Sequence, residues 1–288
     1  MRLAQALERG GRKAVVINAD SQQVYADLRI LSARPSDEEM GGIEHRLFGT
    51  WDGATACSAV DWAAEAKREI TRCHAEDAVP ILVGGTGLYL RTLLDGIAPI
   101  PAIEPEVREA VRAMSTEDAR SALEREDAVA AERLKPADTT RTMRALEVVR
   151  ATGRTLAEWQ AHKEGGIGDG IDLHPAILLP PRERLYERCD RRFAKMFEQG
   201  AAGEVEALIA RRLDPTLPVM RAIGVPEIAA LLSGELSRDE TVARGQTATR
   251  QYAKRQYTWF RHQPPGEWTR VESESYDETV MFARLLRK

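Results

Sequence analysis

Cysteine is scarce. Cys57, Cys73 and Cys189 are the only three in 288 residues, far apart and without C-x-x-C spacing. A disulfide framework and a zinc ribbon are thereby excluded, and a reducing cytoplasm fits best. The five histidines, His45, His74, His162, His174 and His262, are scattered with no pair at metal-ligand spacing, and no G-x-S-x-G elbow occurs. Metal-centred hydrolysis and serine catalysis therefore drop out. No apolar run approaches the roughly 18 residues of a membrane span. Nor does a charged-then-apolar leader open the chain, so neither a signal peptide nor a membrane anchor is expected. Internal repeats and low-complexity tracts are also missing.

What is there reads as an ordinary globule, with 43% hydrophobic and 30% charged residues, long enough for one large domain or for a core with an insertion. A net charge of −4 would argue against nucleic acid if charge were evenly spread. It is not: Arg244 to Arg261 holds five Arg or Lys and no acid, a basic face on an acidic protein.

Arg2 to Glu8 has helical composition and ends at Gly10-Gly11. Ala14 to Ala19 is a short apolar, β-branched run, the signature of a buried strand, and it delivers a lone carboxylate, Asp20, to its C-terminal end. Open α/β sheets place their chemistry there. A buried parallel strand needs neighbours on both sides, so a chain that opens on a helix implies something missing in front. Leu47 to Trp51 reads as a short strand. Ser58 with Asp61 resembles a capping box for a helix to about Glu76. Pro80 to Val83 is a second buried strand, running into Gly84-Gly85-Thr86-Gly87-Leu88-Tyr89. Pro99 to Pro105 is linker, and residues 100–165 read as a helical insertion whose longest helix is capped by Asp138. Gly165 to Gly170 is a hinge, Pro175 to Leu179 a returning strand, and the remainder is mainly helical with a late strand near Trp268 to Val271. The domain reading is thus a core of 1–99 and 166–288 with an all-helical insertion over 100–165.

Three constellations could carry chemistry. The glycines around Thr86 let backbone amides approach an anion, with a helix N-terminus behind them, although such turns also join strands to helices with no ligand. Asp20 could act as a base beside that turn, or merely cap the next helix at Gln22. Arg221, in Pro218 to Gly224, could neutralise a phosphate or stay solvated. Arg250, Lys254, Tyr257 and Arg261 are spaced to share one helical face, suited to phosphate contact and base stacking; the competing account turns the aromatics inward.

Taken in order, Asp20-Ser-Gln-Gln-Val-Tyr25, Ser58-Ala-Val-Asp61, Ile81-Leu-Val-Gly-Gly-Thr-Gly-Leu-Tyr89, Pro105-Glu-Val-Arg108, Arg144-Ala-Leu-Glu-Val148, Arg221-Ala-Ile-Gly224 and Lys254-Arg-Gln-Tyr-Thr-Trp-Phe-Arg261 resemble the tRNA dimethylallyltransferase (tRNA isopentenyltransferase) family over nearly the whole chain. The resemblance implies an α/β fold, a P-loop NTPase-like parallel sheet flanked by helices, with the nucleotide (ATP) binding character of that class. It implies transfer of a dimethylallyl group from dimethylallyl diphosphate to N6 of adenosine 37 in tRNAs reading codons that begin with U, by a cytoplasmic monomer using Mg²⁺. Carried over by position, Asp20 would accept the N6 proton, Thr86 would meet the diphosphate and adenosine, and Arg221 would balance leaving-group charge. Gly84, Gly85 and Arg192 would lie at the diphosphate. Contacts to the tRNA anticodon stem-loop would come from Asp20, Ser21, Gln22, Gln23, Thr86 and Arg108. The same role falls to Thr140, Arg141, Thr142, Met143 and Arg144, and to Lys254, Arg255, Gln256, Tyr257, Thr258, Trp259, Phe260 and Arg261.

Two departures from that pattern stand out. The family's G-x-x-x-x-G-K-[ST] loop, with its Mg²⁺-binding Ser or Thr, is not in this sequence, and Met1 to Leu7 resembles the helix that follows it. The expectation is a start site placed too far downstream, which the mass of the endogenous protein tests. The second is Val225-Pro226 after Gly224, where the family carries a bulky residue. Two other readings compete: an isopentenyltransferase acting on free adenine nucleotides, and a catalytically impaired tRNA-binding protein.

Overall fold

The computed structural model describes residues 1–273 and 276–287, with backbone only at 278 and 279. Helix α1 (Arg2–Arg9) leads into β1 (Ala14–Asn18), buried at every position. A single turn, α2 (Asp37–Met40), precedes β2 (Glu44–Arg46); α3 (Ala59–Ala75), β3 (Val79–Val83) and α4 (Gly87–Asp95) follow. The strands pair in parallel in the order β2-β1-β3, with Val16 opposite both His45 and Ile81. Ala4 and Leu7 of α1 bury against Ala14, Val16 and Ile43, and Leu285 and Leu286 of the C-terminal turn pack on the same cluster.

Strand β1 has β2 on one side and β3 on the other, and one expectation is corrected. The strand expected at Leu47 to Trp51 is not formed: Leu47 turns into left-handed backbone at φ 62°, which ends β2 before it. Trp51 makes only one isolated bridge, to Tyr25.

Ser58 caps α3 as expected, its hydroxyl accepting the Asp61 amide at 3.2 Å while the Asp61 carboxylate accepts the Ser58 amide at 3.1 Å. That cap fixes the start of α3, and one turn on Trp62 stacks on Tyr89 of α4 at 4.7 Å and donates its indole N–H to the Asn18 carbonyl at 2.8 Å. Both helices are thereby locked under the C-terminal end of β1. Close by, the Cys57 amide donates to the Tyr25 hydroxyl at 3.1 Å. Cys57, Cys73 and Cys189 are all buried, and burial pushes each thiol above its ordinary value.

Contacts divide the chain into residues 1–93 with 170–288 and residues 94–169. The second unit holds α5 (Pro105–Arg112), α6 (Thr116–Glu126), α7 (Ala128–Arg133), α8 (Thr139–Thr152) and α9 (Leu156–Gln160). Its core is small-residue packing, with Ala119, Ala122, Ala130, Ala131 and Ala145 around Val111, Leu123 and Leu146. Asp138 caps α8 by accepting the Arg141 amide at 3.2 Å. The buried Glu147 carboxylate is paired with Arg112 at 3.1 Å and Arg144 at 3.4 Å.

The first unit continues with a parallel pair, β4 (Ala176–Leu178) and β5 (Thr269–Val271). Between them run α10 (Arg182–Glu198), α11 (Ala201–Ala210), α12 (Val225–Leu232) and the 25-residue α13 (Arg238–His262). Glu204 of α11 accepts the amides of Arg29, Ile30 and Leu31 at 2.5, 2.9 and 2.9 Å, holding the loop that follows Tyr25. Glu204→Ala strands those donors, of which the Ile30 and Leu31 amides are part-buried, and a donor left unsatisfied away from water costs about 1–3 kcal/mol. A loss of about 2 kcal/mol in urea unfolding is expected, part of it recovered by Glu204→Gln; an unchanged midpoint refutes the anchor.

Candidate active site

Asp20 is held by its backbone before its side chain does anything. The fully buried Asn18 donates to the carbonyls of Asp20 and Leu47, both at 3.0 Å, and accepts the Asp20 amide at 2.9 Å. Sequence reasoning passed Asn18 over, although a lone amide ending an apolar strand was the available signal. The left-handed Leu47 thereby has a role, since its carbonyl is one of the two that orient Asn18. The Asp20 carboxylate accepts the Gln22 amide at 2.8 Å, so the capping geometry weighed for it is present. Burial lifts its carboxyl above the ordinary aspartate range, against the Gln22 amide, the Arg192 charge and the Gln23 amide, which all lower it. A half-buried carboxylate that keeps its proton more firmly than usual suits a group that must accept one near neutral pH.

Thr86 stands against this loop. Its hydroxyl accepts the Ser21 amide at 2.9 Å and donates to the Ser21 hydroxyl at 3.1 Å, and its own amide donates to the Ala19 carbonyl at 3.2 Å. The glycines of the turn serve close approach. A Cβ on Gly84 would lie 2.1 Å from the Ala19 carbonyl carbon, one on Gly85 2.2 Å from Gln256, and one on Gly87 2.4 Å from the Trp259 ring. The Thr86 amide is spent on Ala19, and close packing against Ala19 and the side chains of α13 favours glycine at each of these positions.

Helix α13 covers the turn with one stripe, Tyr252, Gln256 and Trp259. Gln256 donates to the Gly85 carbonyl at 3.0 Å. Burial lifts the Tyr252 hydroxyl above the phenolic range and the Asp20 charge adds to the effect, against the neighbouring Ser21, Thr86 and Gln256 side chains, which lower it. Lys254, Arg255, Thr258 and Arg261 are exposed. The basic-aromatic face expected here is therefore divided. Tyr257 is buried against Ile177 and Leu179, with Phe260 partly buried on the same cluster and Arg182 over the Tyr257 ring at 4.9 Å. Its ring is turned inward, away from any base. Arg250 pairs with Asp190 at 2.6 Å.

Arg192 belongs to a surface cavity of about 340 Å³ lined by Leu185, Arg188, Cys189, Arg191 and Arg192 of α10. Three guanidinium groups give this cavity a positive lining suited to an anion, and the Arg192 charge lowers the proton affinity of Asp20. Arg221 is exposed at the end of the 3-10 turn Pro218–Arg221, donating to the Pro215 carbonyl at 3.4 Å, and its charge adds to the Thr216 hydrogen bonds that hold the Asp214 carboxyl low. Gln23 is turned inward, its side chain donating to the carbonyls of Ser32 and Ala33 at 3.0 and 3.3 Å.

In the helical unit, Arg108, Thr140, Arg141 and Arg144 are exposed, with Arg141 paired to Asp138 at 3.0 Å. Thr142 is not presented at the surface: it is 2% exposed and its hydroxyl has no partner. Met143 packs on the core of the unit.

Among the described residues no set of three carboxylate, thiol or imidazole groups converges on one point; a Mg²⁺ held mainly by substrate phosphates would need no such set. Among the same residues, no helix is long and apolar enough to cross a membrane.

The family model described as IPP transferase matches residues 23–263. The chain is 67% identical to a tRNA dimethylallyltransferase of Erythrobacter litoralis, over 100% of this chain and 90% of that one. Among solved structures it resembles the full-length tRNA isopentenylpyrophosphate transferase of Bacillus halodurans, with TM-score 0.68 and 27% identity, covering 99% of this chain and 89% of that one. It also resembles a eukaryotic dimethylallyltransferase caught acting on tRNA, with TM-score 0.72 and 26% identity, covering 89% of this chain and 65% of that one.

Proposed function

This chain belongs to the IPP transferase family, whose P-loop NTPase-like α/β fold it shares, and from that premise we propose that it prenylates tRNA. The reaction is transfer of the dimethylallyl group of dimethylallyl diphosphate to N6 of adenosine 37, beside the anticodon, in tRNAs reading codons that begin with U. The observation that carries this reading is the Asp20 loop joined to Thr86 through Ser21, with the arginine cavity of α10 close enough for Arg192 to act on Asp20.

The exocyclic amine of adenine is a poor nucleophile because its lone pair is delocalised into the ring. As N6 bonds to C1 of the donor, the C1–O bond breaks and its electron pair leaves with the diphosphate. The N6 proton passes to the Asp20 carboxylate, whose raised proton affinity favours the step. Arg192, with Arg188 and Arg191 beside it, balances the charge gathering on the diphosphate. Thr86 offers its hydroxyl to the leaving oxygens, Gly84 and Gly85 bring backbone close to the same place, and Arg221 is a further cation for the leaving group. The adenosine must leave its stack to reach Asp20. The exposed Lys254, Arg255 and Arg261 of α13 and the exposed arginines of the helical unit supply phosphate contacts for the anticodon arm. A monomer in the cytoplasm suffices for this chemistry.

The test is an assay of the purified chain with dimethylallyl diphosphate, offering an anticodon stem-loop against AMP. Prenylation of the stem-loop is expected. Prenylation of AMP alone, or tRNA binding with no affinity for the diphosphate, sinks the reading. Lys254→Ala is expected to weaken tRNA binding uniformly across sequences and to reduce the salt slope by about one, with turnover of bound tRNA kept; an unchanged slope removes Lys254 from the phosphate contacts.

A further inference from the structure

We propose that Arg34 is a positioning residue for the Asp20 loop, its guanidinium crossing Gly49 to hold the loop's far end. The proposal rests on the prenyl-transfer reading above. Asn18 clamps the loop at Asp20. At the other end the carbonyls of Gln23, Val24 and Tyr25 go to three separate donors: the Gly49 amide at 2.8 Å, the Trp51 amide at 2.9 Å and Arg34 Nη1 at 3.2 Å. Only the third donor is a side chain. Its other terminal nitrogen, Nη2, donates to the Ala26 carbonyl at 3.5 Å.

Gly49 is what admits that side chain. A Cβ there would overlap Arg34 Nη1 and stand 2.5 Å from its Cζ, and the backbone is left-handed at φ 63°, where glycine escapes the cost a side chain brings. One residue thus gives the loop an amide and gives Arg34 a path. The hold is returned from the loop's side. The Gln23 side chain donates to the Ser32 and Ala33 carbonyls at 3.0 and 3.3 Å, and the Arg34 amide donates to the Arg29 carbonyl at 3.0 Å, so the segment carrying Arg34 is itself fixed on the loop. Without the half-buried guanidinium, Tyr25 loses a charge-assisted bond, roughly twice the strength of a neutral one, and the end of the loop is free to tilt. Asp20 has to stay on the N6 proton while it transfers, and a misplacement of about 1 Å costs on the order of 10²-fold in rate.

The experiment compares wild type, Arg34→Met, Gly49→Ala and the double variant on an anticodon stem-loop with dimethylallyl diphosphate, with kcat expressed per folded molecule. Arg34→Met should lower kcat about 10- to 100-fold, with KM for the diphosphate and Kd for the stem-loop within about twofold of wild type. Gly49→Ala, which leaves Arg34 in the sequence and evicts its guanidinium, should lose a similar factor. The double variant should be no slower than the slower single variant, because both act through one contact. Wild-type kcat in either single variant, or losses that multiply in the double, overturns the proposal while the enzyme remains a prenyltransferase. A weaker stem-loop Kd with a salt slope lowered by about one and kcat kept overturns it in favour of a phosphate contact. A fall in Tm with kcat per folded molecule unchanged overturns it in favour of a packing role. A wild-type protein that prenylates nothing overturns the proposed function itself, and this inference with it.

Discussion

Asp20→Asn is expected to turn over about 10²- to 10⁴-fold more slowly than wild type, the range for loss of a positioned general base, while binding the stem-loop within about twofold. The substitution is chosen because asparagine keeps an oxygen where Oδ1 accepts the Gln22 amide at 2.8 Å, and the Asn18 clamp grips only the backbone. Only basicity is removed. Single-turnover rates with saturating tRNA separate the two quantities, and an equal fall in rate and in affinity contradicts a catalytic role. The raised proton affinity of Asp20 also fixes the sign of two pH effects. Wild-type kcat should fall as pH drops through a value above the ordinary aspartate range, and that acidic limb should vanish in the variant. For stability the linkage runs the other way: a carboxyl whose folded value is raised destabilises the fold when ionised, above that value, and the cost is relieved as pH falls through it. Asp20→Asn should therefore melt no lower than wild type at pH 7, and higher if burial dominates.

Gly84→Ala carries the largest expected structural effect. The new methyl would sit 2.1 Å from the Ala19 carbonyl carbon and 2.2 Å from its oxygen, backbone atoms that cannot swing aside. Relief requires parting the ends of β1 and β3, which strains the Ala19 amide bond to the Val83 carbonyl at 2.8 Å and the Thr86 amide bond to the Ala19 carbonyl at 3.2 Å. A stability loss of about 3 kcal/mol, the upper end for overpacking, should appear in urea unfolding, with turnover lost in the molecules that remain folded. Wild-type stability in this variant removes close approach as the reason for the glycine.

Local signals were legible where local physics decides. The Ser58–Asp61 box, the Asp138 cap and the apolar runs of β1 and β3 could all be drawn from short stretches of chain. Strand β2 could not, since Glu44-His45-Arg46 has no β-branched residue and takes its conformation from pairing with β1. The glycines around Thr86 read as either an anion cradle or a plain strand-to-helix turn, and the packing reason for Gly85 lies some 170 positions away, at Gln256, where no local pattern carries it. Tyr257 faces inward for the same kind of reason: its partners are Ile177 and Leu179, and helical spacing alone gives no means of telling which side of α13 the rest of the protein occupies. Asp20 shows the reverse case, since capping does not exclude the other reading: the carboxylate that accepts the Gln22 amide is also the one raised by burial.

The three buried thiols give this protein a built-in clock for local opening. Each stays silent toward an alkylating reagent until its surroundings part, and each sits in a different neighbourhood: Cys57 between the Tyr25 and Tyr89 hydroxyls, Cys73 beneath the Arg46 guanidinium, Cys189 in the wall of the arginine cavity. Their labelling times, read by mass spectrometry on unmodified protein, would rank the excursions of three regions in one measurement. A polyanion settling into the cavity should slow Cys189 and leave Cys73 keeping its own time.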